Sequence, residues 1–229
     1  MQGEGSKFVI NGLDADRSWD WENGYHWFSH PSRMMKFLAH YELYRMIVDL
    51  PGEVVELGVF KGASLVRWAT FRQALETEDS RRIVGFDAFG KFPTGGLELA
   101  ADLEFVESFE DEAGDGLSEA EVAAIFRLKS MRNVHTVAGN VFDTLPTYLE
   151  RNPATRIALL HLDMDVREPT AFALEQLIDR VVPGGLIVVD DYGAVAGASD
   201  AIDAFLAETG LAIEKLPLYA VPAFIRKPG

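Results

Sequence analysis

Short apolar, β-branched-rich runs alternate along the chain with stretches whose hydrophobic residues recur at helical spacing. The runs are Glu53 to Leu57, Arg82 to Phe86, Val134 to Ala138, Arg156 to Leu162 and Leu186 to Val189. The helical patterns are Ala63 to Glu76, Thr144 to Arg151, Pro169 to Val181 and Ser199 to Thr209. Runs this short and this uniformly apolar are strands buried on both faces, and strands alternating with helices build a parallel, doubly wound sheet. The tail LAIEKLPLYAVPAFIRK holds two extended pieces with no room for a crossover helix, so it is expected to close a seven-stranded, mostly parallel sheet as an antiparallel hairpin. Upstream, Met34, Phe37, Leu38, Tyr41, Leu43, Tyr44 and Ile47 mark a helix over Arg33 to Leu50, ended by Pro51-Gly52. No repeat or low-complexity linker intervenes, so residues 1–229 read as one α/β domain with an aromatic leader and cap helix in residues 1–50.

Two of these strands end in acids. LLHLDMD carries Asp163 and Asp165, and GGLIVVDDY carries Asp190 and Asp191. Ligands bind at the carboxyl ends of parallel strands, so neighbouring strands would aim these carboxylates into one crevice. Carboxylates gathered in one place repel each other unless a cation sits among them, and a hard divalent ion with oxygen ligands is the usual solution. The first strand and turn, VVELGVFKGAS, has glycines four apart, Gly58 and Gly62, which let backbone approach a ligand. That spacing is not the G-x-G-x-x-G that seats a pyrophosphate, and Glu56 beside the turn disfavours phosphate and suits a cation. S-adenosylmethionine has an amino group, a sulfonium and a ribose diol, and Asp87 in IVGFDAF is placed for the diol.

Composition narrows the partners. With a formal net charge of -15, the chain lacks the basic excess that nucleic acid or an anionic membrane surface requires, which leaves a small molecule. The absence of cysteine excludes disulfides, thiolate zinc sites and cysteine nucleophiles. The segment MQGEGSKFVINGLDADRS has neither a basic n-region nor an apolar h-region, and no run approaches the roughly 20 residues of a membrane span, so a cytoplasmic location is expected.

The segments VVELGVFKGAS, GFDAFGKFP, GNVFDTLP, LLHLDMDVREPT and VVPGGLIVVDDYG, in that order, resemble the metal-dependent sugar O-methyltransferases typified by macrocin and mycinamicin O-methyltransferases. The resemblance runs from about Arg33 to Leu206, and the chain is more distantly similar to catechol O-methyltransferase. It implies a Rossmann-like, class I S-adenosylmethionine-dependent fold and magnesium-assisted methylation of a hydroxyl on a glycoside, polyketide or similar natural-product acceptor. It further implies that Glu56, Gly58, Phe60 and Ser64 line the methionine part of the cofactor and that Asp87 accepts the ribose hydroxyls. Asn140, Val141 and Phe142 would form the adenine-side turn, Met164 would pack beside the cofactor, and Asp163, Asp190 and Asp191 would hold Mg2+. A homo-oligomer is also implied. The lysine of catechol methyltransferase that follows the first metal aspartate by three residues is Val166 here, so the proton acceptor stays open among Asp165, Asp191 and a residue of the mobile segment.

Gly90 to Arg127, within a stretch of about residues 90–130, is too long for a simple connection and reads as a substrate lid ahead of a helix capped by Ser118 and Glu121. Between Phe92 and Arg127 it carries acids (Asp102, Glu104, Glu107, Glu110, Asp111, Glu112, Asp115, Glu119, Glu121) and no Lys or Arg. Acids facing the site would repel phosphate and favour a neutral or amine-bearing acceptor; otherwise they form a solvated face. His161 shares strand parity with Asp163 but also suits a core histidine, and Arg33 and Lys36 read as solvent-facing charge or as ligand contacts. Trp19 to Phe28 suit core or subunit packing, or a substrate wall. A magnesium phosphohydrolase with Asp163 as nucleophile, a hydroxylase-like relative and a non-catalytic member of the fold are the competing readings.

Overall fold

The apolar runs become the strands of a seven-stranded sheet in a computed structural model that describes residues 8–229. A short hairpin, β1 (Val9–Ile10) and β2 (Leu13–Asp14), and helices α1 (Ser18–Phe28) and α2 (Pro31–Arg45) come first. The alternating part follows: β3 (Glu53–Leu57), α3 (Ala63–Leu75), β4 (Ile83–Asp87), α4 (Ala100–Ala113), α5 (Glu119–Leu128), β5 (Val134–Ala138) and α6 (Val141–Arg151). Then come β6 (Ile157–Leu162), α7 (Arg167–Leu177), β7 (Val181–Val189), α8 (Ala196–Thr209), β8 (Ile213–Lys215) and β9 (Ala223–Arg226). The sheet order is β5-β4-β3-β6-β7-β9-β8, parallel except for β9, which runs antiparallel to both β7 and β8. The expected terminal hairpin is therefore present.

Side chains alternate across the strands into two cores. Val54, Ile83, Leu159, Leu186 and Val188 pack with Leu43, Leu65, Trp68, Val122 and Phe126 of α2, α3 and α5. Val55, Val84, Phe86, Leu160, Leu162 and Ile187 pack on the other face with Leu145, Ala173, Leu174 and Ile202 of α6, α7 and α8. With helices on both faces, polar alternation would bury polar groups, which is why the central strands are mostly apolar, with Glu56 and His161 as buried exceptions.

Some boundaries differ from the pattern. β7 begins at Val181 rather than Leu186, because the Pro183-Gly184-Gly185 turn signal is absorbed as a bulge: β6 pairs Ile157 with Val181 and then Leu159 with Leu186. Asn140 caps α6 by accepting from the Phe142 amide at 3.1 Å, which starts that helix at Val141, ahead of Thr144. The capping box of Ser118 and Glu121 forms as its residues suggest. The aromatic leader is not core: Trp19, Trp27 and Phe28 on α1 are exposed, since no element packs over that face among the described residues. None of the helices of the described residues is long and apolar enough to cross a membrane.

The stretch over residues 90–130 contains α4, a helix that the hydrophobic pattern does not announce. Its anchor is polar. Asp102 is 1% exposed and accepts from the Arg167 amide at 2.8 Å, capping α7, whose own N-cap residue Val166 has no acceptor side chain. A Cβ on Gly197 would lie 2.2 Å from Asp102 Oδ1, so the latch closes only against a glycine of α8. Gly197→Ala is expected to expel Asp102 and destabilise the protein by about 1–2 kcal/mol, the worth of a lost cap and hydrogen bond. Amide exchange across residues 100–113 should quicken; unchanged exchange there would show that Asp102 does not fasten α4.

Candidate active site

Strand register assembles one cavity of about 360 Å3 over the carboxyl ends of β3, β4, β5, β6 and β7. The ladders run one residue beyond each strand: the amides of Gly58, Gly139, Asp163 and Asp190 donate to the carbonyls of Phe86, Asp87, Leu57 and Leu162, at 2.9–3.0 Å. The chain therefore leaves the sheet at Gly58, Gly139, Asp163 and Asp190, and the cavity lies where the strand order reverses at β3 and β6. Gly58 has φ +92, and a Cβ there would stand 1.8 Å from the Asp163 carbonyl oxygen, so the first turn can pass the acidic loop only with glycine.

At the β3–β4 end, Asp87 Oδ2 accepts from the amides of Val59 (2.7 Å) and Phe60 (2.8 Å), while Oδ1 accepts from Phe89 (2.7 Å). Phe60 and Phe89 are held at φ +50 and +56 to make this cradle. Gly58, Phe60, Ser64, Asp87, Asn140, Val141, Phe142 and Met164 all line the cavity. Glu56 and Gly62 do not. Glu56 is fully buried one layer beneath, accepting from Ser64 Oγ at 2.9 Å, and Gly62 turns away at φ +77 to start α3 against Val122.

At the β6–β7 end, Asp163, Asp190 and Asp191 bring ligand atoms within 4.8 Å of one another, and Asp165 lies beside them with its amide donating to Asp191 Oδ2 at 3.0 Å. Burial and then the neighbouring carboxylates push Asp163 and Asp191 well above the usual carboxylate range, and burial and Asp163 lift Asp165 to about 7. Asp190 goes the other way, held low against its burial by a hydrogen bond to His161, by His40 at 3.5 Å and by Lys36. The Lys36 ammonium reaches down from α2 to Asp190 Oδ2, and the acids outweigh its burial and raise its pKa.

His161 occupies the middle of this network as a core residue after all. β3 and β6 pair Glu56 with His161, and the ring reaches Glu56 Oε2 at 3.1 Å on one side and Asp190 Oδ1 at 3.5 Å on the other. Burial opposes its charge, but those two contacts prevail and lift it to about 10. His40, stacked on Trp68 at 4.6 Å, is pressed down to about 4 by burial and is neutral. Among the described residues His40, His161 and Asp190 form a second group of potential metal ligands, but His161 is already engaged by Glu56 and Asp190 and both rings are walled in. The all-oxygen set of Asp163, Asp190 and Asp191, two of them carrying unrelieved repulsion, fits a hard divalent ion better.

Lys36, Arg33 and Arg67 also line the cavity, and only the first two carried a signal, as charges at helical spacing that suit solvent equally well. Of the acids in residues 92–127, Glu110 and Asp115 reach the lining; the rest of that wall is Phe92, Pro93, Leu97 and Phe109 with glycines. Asp102 caps α7, Glu119 accepts from Thr136, and Glu121 completes its capping box. The acids are mostly an outer face.

The sheet order, with an acid cradled at the end of the second parallel strand and the crevice opening where the order reverses, defines the class I S-adenosylmethionine-dependent methyltransferase fold. The chain belongs to the macrocin-O-methyltransferase (TylF) family, whose model matches residues 17–226. It is 30% identical over 164 residues to an 8-demethyl-8-(2,3-dimethoxy-alpha-L-rhamnosyl)-tetracenomycin-C 4'-O-methyltransferase of Streptomyces olivaceus, covering 71% of this chain and 60% of that one. It is 29% identical over 172 residues to the demethyldecarbamoylnovobiocin O-methyltransferase of Streptomyces niveus, covering 74% and 64%. The chain thus spans less than two thirds of the length of these curated relatives. Among solved structures it is similar to the O-methyltransferase NovP (TM-score 0.74, 26% identity, covering 85% of this chain and 80% of that one). It is also similar to the calicheamicin methyltransferase CalS11 (TM-score 0.67, 27% identity, 91% and 85%).

An ammonium on Asp190 competes with any ion entering the carboxylate set. Lys36→Met is expected to tighten Mn2+ binding by about tenfold or more, ~1.4 kcal/mol, read by electron paramagnetic resonance of free Mn2+. Equal or weaker binding would mean that the lysine and the ion do not share a site.

Proposed function

We propose that this protein is an S-adenosylmethionine-dependent O-methyltransferase that acts on a hydroxyl of a sugar or related natural-product acceptor, with Mg2+ held by Asp163, Asp190 and Asp191. One observation carries the reading: a cradled acid and a glycine-lined turn suited to the cofactor open into the same cavity as a cluster of buried carboxylates. S-adenosylmethionine supplies an electrophilic methyl group, and a divalent ion supplies Lewis-acid activation of a coordinated hydroxyl.

The chain's own groups do the rest. Asp87, its oxygens oriented by three backbone amides, keeps acceptor capacity for a ribose diol. Glu56 acts from beneath, fixing Ser64 and His161, and contributes negative potential under the methionine end. Phe142 and Val141 form an apolar wall for a flat base, and buried Met164 closes the floor between cofactor and acids. Asp163, Asp190 and Asp191 orient the acceptor hydroxyl, and much of the rate comes from that positioning. Asp163, Asp165 and Asp191 are the acids within the site to receive its proton, and Asp165, lifted to about 7, holds or releases one near neutral pH. The phosphohydrolase alternative is weaker, since its nucleophile belongs on the first strand and Asp163 ends the fourth strand of the parallel series.

The acceptor class follows the relatives, one named for a rhamnosyl tetracenomycin and one for a novobiocin precursor. Calorimetry with S-adenosylmethionine should give saturable binding that Asp87→Ala weakens by about tenfold or more, ~1.4 kcal/mol for lost charge-assisted hydrogen bonds. Asp190→Asn should keep that binding and lose Mg2+-dependent methylation of a rhamnoside panel. A wild-type protein that does not bind the cofactor would contradict the proposal.

A further inference from the structure

Two cations on the cavity wall are left over by the chemistry of methyl transfer. Arg33 lies on α2 one turn before Lys36, and Arg67 lies on α3 one turn beyond Ser64; both line the cavity. Residues three apart on a helix share a face with their Cβ atoms about 5–6 Å apart, so Arg33 stands roughly the width of one pyranose ring from the lysine that touches Asp190. Among the described residues neither guanidinium has a hydrogen bond or ion pair, in a chain with 36 acids against 21 Lys and Arg. Burial, and next the charge of Arg33, hold the Arg67 pKa below its usual value. Two neighbouring cations, one of them half-buried and offset only by the more distant Asp190 and Glu56 rather than by a contacting partner, are relieved when an anion joins them, and the guanidinium fork matches phosphate and carboxylate geometry. Arg67 also borders a separate hollow of about 330 Å3 shared with Tyr25, Met34 and Phe37, apolar enough for a flat ring next to that anion. Of the acids in residues 92–127 only Glu110 and Asp115 line the cavity, so that stretch opposes an anion less than its composition suggests.

We propose that the acceptor is acidic: it carries an oxyanion about one sugar ring from the methylated hydroxyl, and Arg33 and Arg67 bind that oxyanion. This names the substrate class of the methyltransferase reading and rests on it. It reverses the preference for neutral or amine-bearing acceptors that the acidic stretch suggested. The oxyanion belongs either to a nucleoside-diphosphate sugar, whose base has the Tyr25 and Phe37 hollow available, or to a glycoside bearing a carboxylate.

The full chain is first saturated with S-adenosylhomocysteine, which keeps nucleotides out of the cofactor end, and chelator removes divalent ions. Thymidine diphosphate, inorganic pyrophosphate and methyl glucuronide are then titrated by calorimetry. Binding of at least one oxyanion is expected, weakened about tenfold or more in Arg67→Gln and in Arg33→Gln and less in Arg67→Lys, with S-adenosylhomocysteine affinity unchanged. Arg33 is exposed on its helix, so its replacement leaves folding intact and keeps the test open even if Arg67 variants fold poorly. Diphosphate binding without glucuronide binding supports the nucleotide-linked acceptor, and the reverse supports the acidic glycoside. A protein that binds S-adenosylhomocysteine but none of the three, or binds them equally well in both glutamine variants, overturns the acidic acceptor and leaves the methyltransferase reading standing. Failure to bind S-adenosylhomocysteine overturns both.

Discussion

Negative charge buried at the ends of two adjacent parallel strands is the constraint around which this molecule is arranged. Asp163 and Asp190 leave β6 and β7 side by side because those strands pair in register up to Leu162 and Val189, and Asp191 adds a further carboxylate. Left alone, such a cluster would titrate to neutrality or unfold the strand ends. The protein brings in cations from two directions: His161 from within β6, bridging Asp190 to Glu56, and Lys36 from α2 above. The helix that carries Lys36 is thereby fastened over the sheet by charge as well as by Leu43 and Tyr44. Neutralisation is partial, for Asp163 and Asp191 still repel, and that remaining repulsion would be the driving force for the divalent ion proposed for this site.

The same network links both ends of the cavity. Glu56 receives Ser64 from the first turn and His161 from the strand that ends in Asp163, so the floor under the proposed cofactor and the acids of the proposed metal site share one buried histidine. Gly58 permits the close passage of the two loops, and Asp102 on α4 caps the helix that follows the acidic loop. α4, the acidic loop after β6 and the turn after β3 are thus joined through short, buried polar contacts, which are directional where apolar packing is not.

Much of this was legible in the residues. Short, mostly apolar runs such as IALLHL, alternating with helical patterns, read as strands buried on both faces, and acids directly after them sit at strand ends, which is how Asp87, Asp163 and Asp190 could be placed from spacing. Other parts were hidden for physical reasons. α4 is anchored by buried Asp102 beside Val106 and Phe109, and the acids that crowd the rest of this helix mask its short apolar stripe. Pro183-Gly184-Gly185 looks like a turn but is a bulge, since the neighbouring strand offers partners that local sequence cannot reveal. Glu56 and Gly62 stand behind the cavity lining because a motif specifies order along the chain and not depth. Lys36, Arg33 and Arg67 point inward only because α2 and α3 cross the crevice, and charge on an amphipathic helix carries no mark of which surface it will meet.

The central claim is that Asp163, Asp190 and Asp191 form the seat of a divalent ion and that Lys36 keeps it until the ion arrives. Anomalous diffraction at the manganese edge, from crystals grown with Mn2+ and S-adenosylhomocysteine, tests it most directly. The expected result is a single strong peak between the carboxylates of Asp163, Asp190 and Asp191, with the Lys36 ammonium withdrawn from Asp190. A map without that peak, with Lys36 still paired to Asp190, would contradict it.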